Sequence, residues 1–181
     1  FLTDDFSDED LWGTSVTEKS SAAIDNNRLN LSAQSREYII SLRKNLSEDN
    51  YYAEITARPN LCRADDSYGI LVRASDVAYF RFSLYCNGTV GAERISRDEF
   101  ESLQKPLPSG DVPPGAPGEV RIGVWSVGRE IRLFLNGRFQ FSINNTNFPI
   151  GSVGVFVNSA GDNPVIVSFS DLTLQQVDYQ P

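Results

Sequence analysis

Tyr51-Tyr52-Ala53-Glu54-Ile55-Thr56-Ala57-Arg58 puts Tyr51, Ala53, Ile55 and Ala57 on one side of an extended chain and Tyr52, Glu54, Thr56 and Arg58 on the other. This period of two is that of a half-buried antiparallel strand. The same alternation predicts strands at 69–74, 79–86, 89–95, 120–127, 130–136, 139–143, 153–158 and 165–174, with earlier candidates at 28–31 and 38–43. Hairpin signals lie between them: Ala74-Ser75-Asp76, Asn87-Gly88, Val127-Gly128-Arg129 and Asn136-Gly137. A turn about every ten residues, with no helical stretch long enough for a crossover, predicts an all-β, two-sheet antiparallel sandwich of jelly-roll type and excludes a parallel sheet. The segment from Ser96 to Gly118 carries Pro106, Pro108, Pro113, Pro114 and Pro117 and reads as one long irregular loop.

Composition narrows the function. With 40% apolar residues in 181, the chain can bury one substantial core, and no composition shift divides it. Residues 1–177 are read as a single domain and 178–181 as a tail or linker. A net charge of −8, with no basic block to offset it, argues against nucleic acid and anionic membrane as partners. No apolar run approaches the roughly 18 residues needed to span a bilayer. The start at Phe1 has neither part of a signal peptide, which suggests a mature domain or one cut from a larger parent with further domains. Histidine is absent, removing the commonest general base at neutral pH and the commonest nitrogen ligand for transition metals.

There are two cysteines. Cys62 follows the strand at 51–58 and Cys86 closes the strand at 79–86. In an up-down-up meander both fall at the same end of the sheet, where a disulfide can close with little distortion. Such a bridge implies an oxidising compartment: the cell surface, the extracellular space or the periplasm. The alternative is a reactive thiol, which needs a neighbouring cation, and Arg63 is the local candidate.

Tyr68-Gly69-Ile70-Leu71-Val72-Arg73-Ala74, Ala78-Tyr79-Phe80-Arg81-Phe82 and the runs 120–124 and 133–137 resemble the concanavalin A-like lectin/glucanase sandwich. Within that superfamily the chain is similar to laminin-G-like domains and to the 3-keto-disaccharide hydrolase domains of secreted bacterial proteins. Asp4-Asp5-Phe6 and Phe169-Ser170-Asp171-Leu172 resemble its first and last strands, which pair with each other. The resemblance implies a carbohydrate partner. It also implies one structural calcium ion near those paired strands, where Asp5 and Asp171 match the ligand positions and Asp4, Asp8, Glu9 and Asp10 lie close in sequence.

Two further sites are candidates. If Phe80, Phe82 and Leu84 point inward, Tyr79, Arg81 and Tyr85 point out. If Val120, Ile122 and Val124 do the same, Arg121 and Trp125 point out, and Arg132 and Phe134 continue that second face. Aromatic faces stack on the apolar side of a pyranose while arginine bonds its hydroxyls, so these seven residues form the candidate glycan surface. Alternation alone leaves open which parity is core. Glu99 and Glu101 are a candidate carboxylate pair for glycoside hydrolysis. Against it, Ser96 and Glu99 read as a capping box opening a short helix, which makes the pair ordinary solvated acids. The Glu-x-Asp-x-Glu array of glucanases in the superfamily is also missing. Sequons begin at Asn30, Asn45, Asn87 and Asn144. The reading is therefore an extracytoplasmic binding or accessory module for a glycan or cell-surface polysaccharide, favoured over an enzyme. The alternatives are a sugar-processing enzyme of the same fold and a structural or protein-interaction domain.

Overall fold

The computed structural model describes residues 1–97, 99–145 and 147–178. In chain order the strands are β1 (Leu2–Asp4), β2 (Ser15–Val16), β3 (Ser20–Asp25), β4 (Arg28–Ala33), β5 (Tyr38–Leu42), β6 (Tyr51–Leu61), β7 (Ser67–Ala74), β8 (Ala78–Tyr85), β9 (Thr89–Ser96), β10 (Glu99–Pro108), β11 (Val120–Val127), β12 (Glu130–Leu135), β13 (Arg138–Asn144), β14 (Ser152–Asn158) and β15 (Val165–Gln176). A nine-stranded sheet runs β13-β12-β11-β6-β15-β4-β3-β2, with β1 also on β15, and a six-stranded sheet runs β10-β9-β8-β7-β14-β5. The chain has the two-sheet antiparallel sandwich fold its alternation predicts.

Alternation supplies the core. Ile55, Ile122, Val124, Leu133 and Phe169 from the larger sheet meet Ile70, Phe80, Phe82, Leu84 and Val155 from the smaller in one fully buried cluster. Phe82 stacks on Phe141 from the opposite sheet at 6.1 Å between centroids. Each such side chain contributes about 1.5–3 kcal/mol on burial.

Strand β15 is the hinge of the larger sheet. On one side it pairs with β6. On the other its first half pairs with β4 and its second half with β1. Asp171 sits where the partner changes, with φ 57°, at a register shift between Ser170 and Thr173. Asp tolerates this left-handed conformation better than most residues, and a bulge needs it.

Three sequence expectations change. The strands β6, β7 and β8 are not one meander, because β6 lies in the nine-stranded sheet and β7 and β8 in the six-stranded one. The chain crosses between sheets at 62–66, so the Cys62–Cys86 disulfide, with its Cα atoms 5.6 Å apart, ties the two sheets' loops together. Second, the loop expected over 96–118 is strand as far as Pro108 and turns irregular beyond it. No capping box opens a helix there, since Glu99 pairs back with Ser96 in a tight hairpin; Asp98 lies outside the described residues. This edge strand is exposed at most positions and reaches the core only through the partly buried Leu103 and Leu107, so it shows no alternation, and its outer backbone groups tolerate proline. The remaining loop is pinned: Val112 is buried in the core, Ser109 Oγ donates to Gln140 Oε1 at 2.6 Å, and Gln140 Nε2 donates to Asp111 Oδ2 at 3.0 Å. Third, β3 is an additional strand. Asn26 and Asn27, both with positive φ, turn it back into β4. Of the tail expected at 178–181, positions 179–181 lie outside the described residues.

The amino-terminal corner is closed by Asp4 rather than Asp5. Asp4 Oδ1 accepts from the Phe6 backbone N–H at 2.8 Å, and Oδ2 accepts from Trp12 Nε1 at 3.0 Å and Arg43 Nε at 2.7 Å. Phe6 and Trp12 stack beneath it, 5.0 Å between centroids and both fully buried.

Candidate functional site

Because Phe80, Phe82 and Leu84 face the core, the opposite parity of the six-stranded sheet faces out. The register carries that outer face across the sheet: Tyr38 and Ile40 on β5, Phe156 on β14, Leu71 on β7, Tyr79, Arg81, Ser83 and Tyr85 on β8, Glu93 and Ile95 on β9, and Phe100 on β10. Leu71, Tyr79 and Phe156 form a second apolar cluster there, with Tyr38, Ile40, Leu42 and Ile95 packed against it.

Glu93 and Arg81 are opposite each other in the register and organise the face. Only 3% exposed, Glu93 accepts from Arg81 Nε at 3.2 Å, Ser83 Oγ at 2.9 Å and Tyr85 OH at 2.9 Å. Three donors thus converge on one buried carboxylate, and one of them, Arg81, brings the opposite charge. The Arg81 guanidinium carbon lies 5.5 Å from the Tyr38 ring centroid, 5.2 Å from Phe156 and 6.0 Å from Phe100, a cation beside three aromatic rings. Tyr38 leans across β14 and β7 until its hydroxyl shares a 2.8 Å hydrogen bond with that of Tyr79. The walls of this surface are largely buried, while Phe100 at its edge is 62% exposed and presents an open ring.

Burial, and then the Glu93 charge, push the Tyr85 hydroxyl up to about 12, and burial alone outweighs its neighbours in pushing Tyr51 in the core to about 12. A tyrosine in the unfolded chain ionises near 10. Both groups therefore favour folding as neutral phenols, fully so below about pH 10, and that contribution is lost as pH rises through about 12. The expected result is a thermal midpoint that falls between pH 10 and 12 in step with tyrosine ionisation, measured by circular dichroism and ultraviolet difference absorbance. A midpoint flat across that window would contradict the assignment.

The seven residues expected to bind glycan do not lie on one surface. Tyr79, Arg81 and Tyr85 come together on the six-stranded sheet, whereas Arg121, Trp125, Arg132 and Phe134 occupy the outer face of the nine-stranded sheet, on the far side of the core. On that second face the Arg132 guanidinium covers Trp125, 4.3 Å from the ring centroid, and is itself held by Glu130 at 2.6 Å. Phe134 packs edge-on between Tyr52 and Phe139, and Arg121 stands 3.7 Å from Glu54. The most stackable ring of this face is thus already occupied by its own arginine.

Glu99 and Glu101 do lie on a strand, β10, at its exposed edge. Glu101 is ion-paired with Arg94 at 2.8 Å, on the parity opposite Glu93. Asp5 and Asp171 flank the Asp4–Leu172 pair at the junction of β1 and β15. Asp5 accepts from the Ser7 N–H at 3.0 Å and Asp171 from Ser170 Oγ at 2.9 Å. Hydrogen bonds from Ser7 hold the Asp5 carboxyl below its ordinary range. Among the described residues no three acidic, histidine or cysteine groups converge, so these two carboxylates do not by themselves provide the six to eight oxygens a calcium ion takes.

Sequence reasoning missed Glu93, Tyr38 and Phe156. Glu93 was within reach: Val90 and Ala92 face inward, so Glu93 must share the side of Arg81.

No protein-family model and no curated protein sequence matches the chain. Solved structures do. The carbohydrate-binding module CBM66 from Bacillus subtilis superimposes with a TM-score of 0.71 at 12% identity, over 92% of this chain and 96% of that one. The catalytic domain of an endo-1,3-beta-glucanase (laminarinase) from Thermotoga petrophila RKU-1 gives 0.65 at 10% identity, over 98% of both chains. A GH43 protein from Bacillus licheniformis gives 0.69 at 14% identity, over 97% of this chain and 39% of its own length. These likenesses show the fold, a two-sheet antiparallel jelly-roll sandwich.

Proposed function

We propose that the protein is an extracytoplasmic carbohydrate-binding module whose ligand lies on the outer face of the six-stranded sheet, against Phe100 and over the Arg81–Glu93 pair. The observation that carries this reading is Glu93 itself. Glycoside hydrolysis in its common form needs two carboxylates about 5–10 Å apart, one able to hold or give a proton. Among the described residues Glu93 is the one acid at a register position of this face, and Arg81, Ser83 and Tyr85 already donate to it. Held this way it is a fixed acceptor for sugar hydroxyls. Fold likeness to a carbohydrate-binding module and the disulfide, a bond of oxidising compartments, support the class and the location.

The test is a glycan array followed by calorimetric titration of the best ligand. Phe100 is exposed and outside the core, so Phe100→Ala folds normally and weakens binding about tenfold or more through lost stacking. Trp125→Ala on the opposite face leaves affinity unchanged. The reverse pattern would place the site on the nine-stranded sheet, and silence across the array would remove the carbohydrate reading. Repeating the titration after chelation tests the calcium proposed at Asp5 and Asp171: affinity or thermal midpoint should fall on chelation and return with added calcium.

A further inference from the structure

At one end of the sandwich, Asp49, Asn50, Arg73, Gly128, Arg129, Pro149 and Ile150 line an open hollow of about 410 Å³, within the ~300–1,000 Å³ usual for small-ligand sites, with two arginines against the one carboxylate of Asp49. Its floor is unusual. Arg73 is 2% exposed, yet among the described residues no carboxylate comes within ion-pairing distance of it. Nη2 donates to the Asp49 carbonyl at 3.0 Å and Nη1 to the Phe148 carbonyl at 3.4 Å, while Nε is buried with no partner. Asp49 gives Arg73 its backbone oxygen, while its side chain accepts from the Asn50 N–H at 2.8 Å. The direct partners of this buried cation are neutral carbonyls, with the Asp49 charge acting from beyond ion-pairing distance, whereas the largely buried Arg43 and Arg81 each touch an acid, Asp4 and Glu93.

The backbone is built to put Arg73 there. Ala74 pairs with Ser152 and Leu71 with Gly154, so Val72 and Arg73 together stand opposite Val153, a β-bulge. Arg73 has φ 47°, a conformation costly for a long side chain, and its N–H is fixed by the Tyr51 hydroxyl at 3.0 Å. A Cβ at position 151 would collide with the Arg73 backbone, so only glycine permits this bulge to pack. Bulges of this kind re-aim a side chain, here from the outer face of the sheet toward the end of the sandwich. Burial lowers the guanidinium pKa from its ordinary value, and the nearby Tyr51 and Asp49 offset that only in part.

The rest of the hollow suits an anion with an apolar side. Arg129 is exposed and makes no ion pair among the described residues. Asn50 Oδ1 accepts from the Gly128 N–H at 2.9 Å, which leaves its Nδ2 donors for a ligand. Pro149 and Ile150, the latter 54% exposed, form a non-polar wall.

We infer that this hollow binds the carboxylate of an acidic sugar residue, with Arg73 and Arg129 as its cationic donors, Asn50 Nδ2 bonding a hydroxyl, and the ring lying against Pro149 and Ile150. The planar guanidinium fork matches the two oxygens of a carboxylate. Assigning a sugar to that carboxylate rests on the carbohydrate reading above. At a net charge of −8 the protein repels anions in general, so affinity here has to come from this local pair and fall as salt screens it.

The test titrates the intact chain at low salt with sodium glucuronate, glucose, sodium acetate and inorganic phosphate, followed by calorimetry and amide chemical shifts. Glucuronate should saturate with a Kd on the order of millimolar. Glucose should fail for want of charge and acetate should bind more weakly for want of a ring. Arg129→Ala, on the surface, should keep the thermal midpoint and weaken glucuronate about tenfold. Arg73→Lys, which retains charge but loses the fork, should weaken it further. No saturation with glucuronate, unchanged affinity in Arg129→Ala, or tighter binding of phosphate would each overturn the assignment; acetate as tight as glucuronate would overturn its sugar part. Phe100→Ala separates the two readings. If it abolishes glucuronate binding, the acid lies on the sheet face and this site is wrong. If it leaves glucuronate binding intact while neutral glycans are silent, the sheet-face proposal fails and this one stands.

Discussion

Asp4→Ala is expected to lower the free energy of unfolding by about 3–5 kcal/mol, the range for removing one partner of a buried ion pair. The Asp4 side chain is 4% exposed and that of Arg43 10%, so loss of the carboxylate strands a cation away from water. The same substitution orphans the buried Trp12 Nε1 and the Phe6 N–H, each a further desolvation penalty. Phe6 holds a positive φ of 58° at this corner, and the Asp4 bond to its N–H helps stabilise that turn. Asp5→Ala next door removes only an exposed bond to Ser7 and should be near neutral. Urea unfolding of the two variants checks the contrast. An Asp4→Ala loss below about 1 kcal/mol, or equal losses in both, would show that the corner is not held as described.

The second large effect is expected at Glu93. Glu93→Gln keeps the shape and removes the charge, leaving the partly buried Arg81 without its counter-ion and replacing one of the two acceptor oxygens, the one facing Arg81 and Ser83 or the one facing Tyr85, by an amide N–H₂. Stability should fall by about 3–5 kcal/mol and glycan binding should be lost. A purely packing role would predict the stability loss alone, so the diagnostic is the double variant. Glu93→Gln with Arg81→Met removes both charges, and because neutral replacement of a buried pair is often close to harmless, it should recover much of the stability while remaining unable to bind. Recovery of binding would mean that the pair is scaffolding for a site elsewhere; additivity of the two single losses would mean that the charges are not coupled.

How far these sites were legible in the sequence depends on how local their signals are. Parity within a strand is local, so alternation groups Phe80, Phe82 and Leu84 on one face of β8 and Tyr79, Arg81 and Tyr85 on the other, while the side that is core is fixed only by the opposing sheet. The sheet to which a strand belongs is not local. The crossover at 62–66 follows from β6 pairing with β11 and β15 far along the chain, and this is why four of the seven expected glycan residues lie across the core from the other three. Strand β10 stayed hidden because an exposed edge leaves no hydrophobic period, and β3 because Ser20-Ser21-Ala22-Ala23 is too small and too evenly half-buried to show one. Its turn, Asn26-Asn27, was the available signal. Arg73 is the extreme case. Strand parity puts it with Leu71 on the outer face, and only the bulge opposite Val153 turns it away.

The pairing of β1 with β15 determines how the fold responds to force. The two strands are antiparallel, Leu2 opposite Leu174 and Asp4 opposite Leu172, so tension applied through the chain before Leu2 and after Gln176 pulls both from the same end of the sheet. Such a load peels β1 away one rung at a time, a zipper rather than a shear lap, until it reaches the knot that Asp4 ties to Trp12 and Arg43. The polypeptide also enters and leaves side by side, a geometry that lets the sandwich be carried as a side branch on a host chain with little displacement of the host's own path.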